Sequence, residues 1–334
     1  MKVGVVGLGR VGKIHLSNLV QHFQDVEVAV VSDPMEEAHG FAKKLGIINV
    51  VKTAEEVITH PEVDAVIISS PTPLHIPHVK LAARNGKHIF CEKPLDVDLN
   101  TIVEAQKVVE EYGVKLMVGF NRRFDDNFAR VRELVKAGKI GEPHILRITS
   151  RDPAPPPLEY IKVSGGIFLD MSIHDFDMAR FIVGSEVTEV YVKGAALINP
   201  EIAELGDIDT ALIVLTFENG AIGVIDNSRQ AVYGYDQRLE ILGSGGMAKA
   251  ENRMENDVAL AGKEGITGAL PLYFFLERYE KAFKSCLRGF LDCVAKDLPS
   301  PITAHDGLMA TAIGKAALKS LREKRPVGMK EILP

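Results

Sequence analysis

The first 33 residues restrict the fold more than any other stretch of the chain. Lys2–Val6 is a short apolar run and Gly7-Leu8-Gly9-Arg10-Val11-Gly12 a glycine-rich turn. Lys13–His22 has helical character, Val26–Val31 is a second apolar run, and Asp33 is an acid two residues past it. Two short apolar runs separated by a helix predict parallel strands joined by a crossover. Three glycines in that spacing mean little alone in a chain with 29 glycines. The strand before, the helix after and an acid about 20 residues further on give them weight. The first glycine permits a tight turn, the second lets backbone approach a pyrophosphate, and the third lets helix and strand pack closely. The helix start offers N–H groups to an anion, and the acid accepts hydrogen bonds from ribose hydroxyls. Gly7, Leu8, Gly9, Arg10, Val11, Gly12 and Asp33 are therefore the expected contacts of a dinucleotide. Asp33 repels a 2′-phosphate, and its neighbours Ser32 and Pro34 include no Arg to bind one, so NAD is expected over NADP.

The rest of the composition narrows the class. At 334 residues the chain is long enough for two domains, and 46% hydrophobic with 25% charged residues suits a globular protein. A net charge of −6 without a long basic run argues against a nucleic-acid partner. The apolar run at residues 3–6 is too short to span a membrane, and no targeting segment is expected. Cys91, Cys286 and Cys293 form neither a paired disulfide framework nor a metal-binding spacing. Cys286 and Cys293 sit in one helical stretch with a rise of about 10 Å between them, beyond disulfide reach. A reducing, cytoplasmic setting follows as the expectation.

Residues 1–120 continue to alternate. Helices are predicted at Pro34–Leu45, Leu74–Asn85 and Leu99–Tyr112, and apolar strands at Ala65–Ser69, His88–Cys91 and Lys115–Gly119. This is the pattern of a Rossmann-type, doubly wound parallel sheet. The pattern changes in residues 121–334. A helix at Phe124–Ala137 leads to a strand at His144–Ser150 and a loop at Arg151–Pro157 with four prolines. A single helix is predicted over Ile167–Ile182. Successive extended segments then run from Val187 to Ala250 with turn signals at Asn219-Gly220 and Gly243-Ser244-Gly245-Gly246. Helices near Tyr273–Ala295 and Gly307–Glu323 complete an α+β second domain. These last helices are compatible with packing back on the first.

Candidate chemistry lies at strand ends. Glu92-Lys93-Pro94 follows the apolar strand that ends at Cys91, and ligands bind at the carboxyl ends of parallel strands. Lys93 there suits hydrogen bonding to a hydroxyl or stabilising an alkoxide; it is equally compatible with a surface pair to Glu92. Asp170 and His174 are i, i+4 neighbours on a continuous helix, and a His suits proton transfer near neutral pH. A bland helix-surface pair has the same spacing. Asp175 and Asp177 lie close by, but helix geometry turns them away from one another, so no metal site is expected. Ser69, Ser70, Pro71, Thr72 and His75 line the cofactor on one reading and make an ordinary strand-to-helix loop on another. Arg122, after the next strand, reaches the crevice or caps a solvated turn. Tyr235, with Tyr233 at a turn between extended segments, offers a hydroxyl to a polyol or simply packs.

Taken together, these segments resemble the Gfo/Idh/MocA family of oxidoreductases over essentially the whole chain. The glycine turn, Glu92-Lys93-Pro94 and Asp170-x-x-x-His174 appear in family order. Gly119–Asp125, Gly165–Asp177, Asp226–Arg229 and Tyr233–Arg238 add to the likeness, most closely to its inositol-oxidising branch. The resemblance implies a second domain with an open, predominantly antiparallel sheet, which commonly builds dimers and tetramers. It also implies oxidation of the C2 hydroxyl of myo-inositol to 2-keto-myo-inositol (scyllo-inosose) with NAD. Lys93, Asp170 and His174 are the implied catalytic residues: His174 as base with Lys93 and Asp170 polarising the hydroxyl, or Lys93 as the acid–base. Glu92, Lys93 and Arg122 join the cofactor contacts, and Lys93, Arg122, Asp152, Asp170, His174 and Tyr235 the substrate contacts. Three other readings stand beside this one: oxidation of another inositol epimer or an aldose, NAD-dependent glycoside cleavage, and a non-catalytic dinucleotide-binding regulator.

Overall fold

The computed structural model describes all residues from Met1 to Pro334, which divide into two compact units. The first comprises Met1–Asn121 and Phe283–Thr311, with Pro334; the second comprises Arg122–Ala282 and Ala312–Leu333. The boundary near residue 120 is thus only the first of the crossings between units. No helix is long and apolar enough to cross a membrane.

Six parallel strands form the sheet of the first unit: β1 (Lys2–Val6), β2 (Glu27–Ser32), β3 (Val50–Val51), β4 (Ala65–Ile68), β5 (His88–Cys91) and β6 (Leu116–Val118). Their order is β3-β2-β1-β4-β5-β6, so the winding reverses between β1 and β4. That reversal opens a crevice at the strands' carboxyl ends. All four residues of β4 are buried, as are Val3, Val5 and Val6 of β1, because helices cover both faces of such a sheet. The helices are α1 (Arg10–His22), α2 (Glu36–Lys44), α3 (Ala54–Ile58), α4 (His75–Arg84) and α5 (Leu99–Glu111). Side chains set several of their starts. Thr53 and Glu56 form a capping box on α3, and the Asp98 carboxylate accepts from Thr101 N–H at α5. All three cysteines are buried, and none is in a disulfide.

The second unit is built on a mixed seven-stranded sheet. Its strands are β7 (Pro143–Arg151), β8 (Val187–Ala195), β9 (Thr210–Phe217), β10 (Ile222–Ser228), β11 (Asp236–Gly243), β12 (Gly246–Ala250) and a short last strand, Val327–Gly328. From edge to edge the order is β12-β11-β7-β10-β9-β8 and then Val327–Gly328. Only β7 and β10 run parallel; every other pair is antiparallel. Burial alternates as a one-sided sheet requires: Ala211, Ile213, Leu215 and Phe217 of β9 face inward while Leu212 and Val214 are exposed. Helices α6 (Asp126–Lys136), α7 (Leu158–Ser164), α8 (Gly166–Asp170), α9 (Ser172–Val183), α10 (Pro200–Glu204) and α11 (Phe275–Arg278) complete it, with α9 against β7 and β10. Two long helices, α12 (Glu280–Ala295) and α13 (Ala304–Glu323), follow.

Two details depart from the sequence expectation. The helix predicted over Ile167–Ile182 is broken at Met171 into α8 and α9. His174 N–H bonds to Met171 O, three residues back, instead of continuing the ladder to Asp170. The reason lies in the buried groups of α9: Ser172 and Asp175 face the core and bond to Asn227, while Asp170 faces Tyr160 and Arg229. The second departure is an exposed antiparallel hairpin, Ala259–Gly262 with Gly265–Gly268. No apolar period marked it.

Candidate active site

In the first unit the glycine turn follows β1 directly. Gly7 has φ +88°, and a Cβ there would lie 2.7 Å from the Ser69 carbonyl oxygen. A Cβ on Gly12 would come within 2.0 Å of Gly7 O, whereas one on Gly9 meets nothing within 4 Å. Gly7 and Gly12 are thus required by the protein's own backbone. Gly9 leaves room for a phosphate-bearing ligand to approach. Leu8 is buried, Val11 half-buried, and Gly9 and Arg10 are exposed. Helix α1 starts here with no side chain capping its first N–H groups. Asp33 Oδ2 accepts from Leu8 N–H at 2.7 Å and Oδ1 from Met35 N–H at 2.9 Å. A carboxylate offers about four acceptor positions, so two remain for ribose hydroxyls. Buried Ser69 Oγ, across from Gly12 at the end of β4, has no protein partner. These features fit a dinucleotide.

The loops after β4 and β5 meet at one buried histidine, His75. His75 places Nε2 at 2.7 Å from Ser70 O and Nδ1 at 2.7 Å from Pro94 O, and burial pushes its pKa down. A neutral ring carries one N–H and donates to one of these carbonyls while lying against the other, so His75 sits between the two loops. Ser70 Oγ lies 3.1 Å from His78 Nδ1, and Pro71 and Thr72 lead into a short 3₁₀ turn. Glu92, at the end of β5, is buried against His15 of α1, with Oε1 2.7 Å from His15 Nε2. Its other oxygen accepts from Lys93 N–H at 3.3 Å. A Cβ on Gly119 would sit 2.9 Å from the Glu92 carboxyl group, so the acid lies flat on the end of β6. Lys93 is half-buried at the mouth of this arrangement. His15 was not among the expected residues; its signal is a lone His on the inward face of α1, three residues past the last glycine of the turn.

The second unit gathers charged groups in its interior. Arg122 donates to Asp175 Oδ1 at 2.6 Å and to Tyr235 Oη at 3.4 Å. Asp175 Oδ2 accepts from Asn227 Nδ2 at 2.9 Å, and Ser172 Oγ bonds to Asn227 Oδ1 at 2.5 Å. Ser150, Gln237 and Tyr279 extend the chain of bonds. Arg122 and Tyr235 are each only 5% exposed, so the guanidinium reserved for cofactor and substrate is engaged inside the unit. Burial pushes the Tyr235 hydroxyl well above its usual pKa and the Tyr279 hydroxyl up to about 12, so both remain protonated donors. Arg123 pairs with Asp177 through two bonds, at 2.9 and 2.5 Å. Asp175 and Asp177 thus serve separate arginines. No cluster of His, Cys, Asp and Glu side chains is grouped to hold a metal ion.

Asp170 and His174 are half-buried on either side of the α8–α9 break. Asp170 Oδ1 accepts from the Tyr160 hydroxyl at 2.7 Å and Oδ2 from Arg229 Nη1 at 3.3 Å. Arg229 is 1% exposed, and Asp207 lies 3.9 Å from its other terminal nitrogen. Asp152, just past β7, is half-buried; burial, opposed by Arg229 and reinforced by Asp170, pushes its pKa up to about 6. Among these groups Tyr160 carried no sequence signal beyond its place after the prolines. Arg229 and Asn227 were visible as a motif without an assigned task.

Known proteins match the chain from end to end. Residues 1–120 fit the family model described as an oxidoreductase family with NAD-binding Rossmann fold, and residues 128–249 the GFO/IDH/MocA C-terminal domain. The chain is 49% identical to myo-inositol 2-dehydrogenase of Thermotoga maritima over 334 residues, all of both chains. It is 41% identical to inositol 2-dehydrogenase of Rhizobium meliloti, covering 98% of this chain and 99% of the relative. A crystal structure of scyllo-inositol dehydrogenase from Lactobacillus casei with bound NAD(H) and scyllo-inositol superposes with a TM-score of 0.93 at 32% identity, covering 99% of each chain. With both domains matched in order and at full length, the chain belongs to the GFO/IDH/MocA family of NAD-binding oxidoreductases.

Proposed function

We propose that this protein oxidises the C2 hydroxyl of myo-inositol to 2-keto-myo-inositol with NAD. The full-length, 49% identical match to myo-inositol 2-dehydrogenase of Thermotoga maritima carries this reading. The glycine turn, Asp33 and Ser69 hold the dinucleotide, which when bound supplies the acceptor for the hydride leaving C2. Lys93, fixed through Glu92, hydrogen-bonds the reacting oxygen and stabilises negative charge developing there. His174 takes the hydroxyl proton. Asp170, gripped by Tyr160 and Arg229, orients the same hydroxyl. Arg122 and Tyr235 act behind this group by fixing Asp175 and the start of α9.

NADH formation with myo-inositol, scyllo-inositol, D-chiro-inositol and glucose, each with NAD or NADP, tests the assignment. The expected result is the highest kcat/KM on myo-inositol with NAD. The scyllo epimer is the second reading, supported by the likeness to the Lactobacillus casei enzyme; a higher kcat/KM on scyllo-inositol would select it. NAD binding without NADH formation on any polyol would overturn both.

The protein is further read as a homo-oligomer, dimer or tetramer. The outer face of the second sheet supports this: Ile145, Leu212, Val214, Ile222, Leu242 and Met247 are all exposed there. A contiguous apolar face of this kind marks an association surface. Sedimentation as a monomer at micromolar concentration would remove that reading.

A further inference from the structure

Helix α7 lies between the proline-rich loop and a pair of glycines, and Ile161 is its single buried residue. Tyr160 on this helix is 47% exposed, yet its hydroxyl donates to Asp170 Oδ1 at 2.7 Å. Local backbone builds the contact. Pro155, Pro156 and Pro157 stiffen the entry to α7, and Gly165 and Gly166 leave it with φ +84° and +79°. Two successive left-handed residues turn the chain back, so that residue 160 meets residue 170. The opposite carboxylate oxygen is bonded to the buried Arg229. Asp170 is therefore held on one side by an interior cation and on the other by an accessible phenol.

A phenol carries one donor and two acceptor positions. With its proton directed at Asp170, the part of the Tyr160 hydroxyl that an incoming ligand meets is an acceptor. A polyol presents several O–H groups around a ring whose C–H face suits an aromatic neighbour. We propose that Tyr160 determines specificity at the polyol site: its oxygen accepts a hydrogen bond from a substrate hydroxyl other than the one being oxidised, while its proton fixes Asp170. This rests on the function proposed above. An epimer whose hydroxyl points elsewhere leaves that bond unmade, and a site built around such a bond discriminates more strongly than an apolar one.

The test is Tyr160→Phe, which removes one oxygen from an exposed side chain. Steady-state rates are measured on myo-, scyllo- and D-chiro-inositol, with thermal melting as the fold control. The melting midpoint and the KM for NAD are expected to stay unchanged. kcat/KM on every epimer is expected to fall through the lost bond to Asp170, and on the preferred epimer by about a further two- to tenfold, the size of a neutral hydrogen bond. The poorer epimers lose only the part that runs through Asp170, so the ratio between epimers shrinks by that further factor. Equal loss on all three, or loss on none, with an active wild type, overturns the role of Tyr160 alone. A wild type inactive on every polyol overturns the underlying functional reading, and this inference with it.

Discussion

In the first unit functional groups hang from backbone at the ends of parallel strands, and each is fixed by neighbours within one or two loops. Asp33 takes N–H groups from Leu8 and Met35, His75 spans two carbonyls, and Glu92 takes the N–H of Lys93. In the second unit side chains fix side chains. Arg122, Ser150, Asp175, Asn227, Gln237 and Tyr235 come from separate parts of the sequence and meet in a buried hydrogen-bonded network. The difference has consequences. A site held by backbone tolerates loss of one side chain with the fold intact. A buried charged network does not, because each deletion strands a charge away from water.

The largest effect on rate should come from the first unit at little structural cost. Lys93→Ala is expected to lower kcat about a thousandfold while leaving the melting midpoint and the Kd for NAD nearly unchanged. A variant with near wild-type turnover would show that Lys93 does not act on the reacting hydroxyl. In the second unit Arg122→Met is expected to cost about 3–5 kcal/mol of stability, since Asp175 is left buried and unpaired. Urea unfolding measures this, and adding Asp175→Asn should recover a large part of the loss. A drop in activity with no change in stability would instead mean that Arg122 works by touching ligand.

Smaller effects separate the two modes of support. Asp33→Ala removes the acceptor for ribose hydroxyls and for Leu8 N–H together. NAD affinity should fall about tenfold or more and the preference for NAD over NADP should relax. Unchanged preference in competition assays would mean that another residue reads the ribose. His15→Leu leaves Glu92 without its buried partner, whereas His15→Gln keeps an N–H donor at similar reach. The Leu variant is expected to lose about 1–3 kcal/mol in kcat/KM or stability and the Gln variant much less. Equal losses in both would make His15 a packing residue against Phe90 and Phe283.

This contrast also explains what could be read from the sequence. The parallel sheet, its strand ends and the glycine turn were legible because their signals are local: short apolar runs, glycine spacing and an acid at fixed distance. Asp170, His174 and Lys93 stood out for the same reason. The break at Met171 was not legible, because it is set by Asn227 and Arg229, which arrive more than fifty residues later. Arg122 carried a strand-end signal that suggested a ligand contact. Its partner Asp175 is a long-range one, and no spacing announces it. His15 lay on an otherwise ordinary helix face, and its meaning appears only with Glu92 beside it.

Asp152 gives the subtlest test of the second unit. Burial is the main force raising its pKa to about 6; Arg229 and Arg122 oppose the rise, and Asp170 and Asp175 add to it. The unfolded chain releases this proton near the ordinary aspartate value of 3.8. Between these values the folded state holds a proton that the unfolded state has lost. Stability therefore declines as pH rises through that window, and the penalty is complete above it. Asp152→Asn cannot ionise and escapes the penalty. It should unfold at higher urea concentration than wild type at pH 7, with the advantage shrinking to nothing by about pH 4. An advantage that persists unchanged at the lower pH would mean that the amide stabilises by packing or hydrogen bonding. A loss at pH 7 would mean that the arginines, not burial, dominate around Asp152. The buried charges of this unit would then be balanced more closely than its arrangement of three aspartates around Arg229 implies.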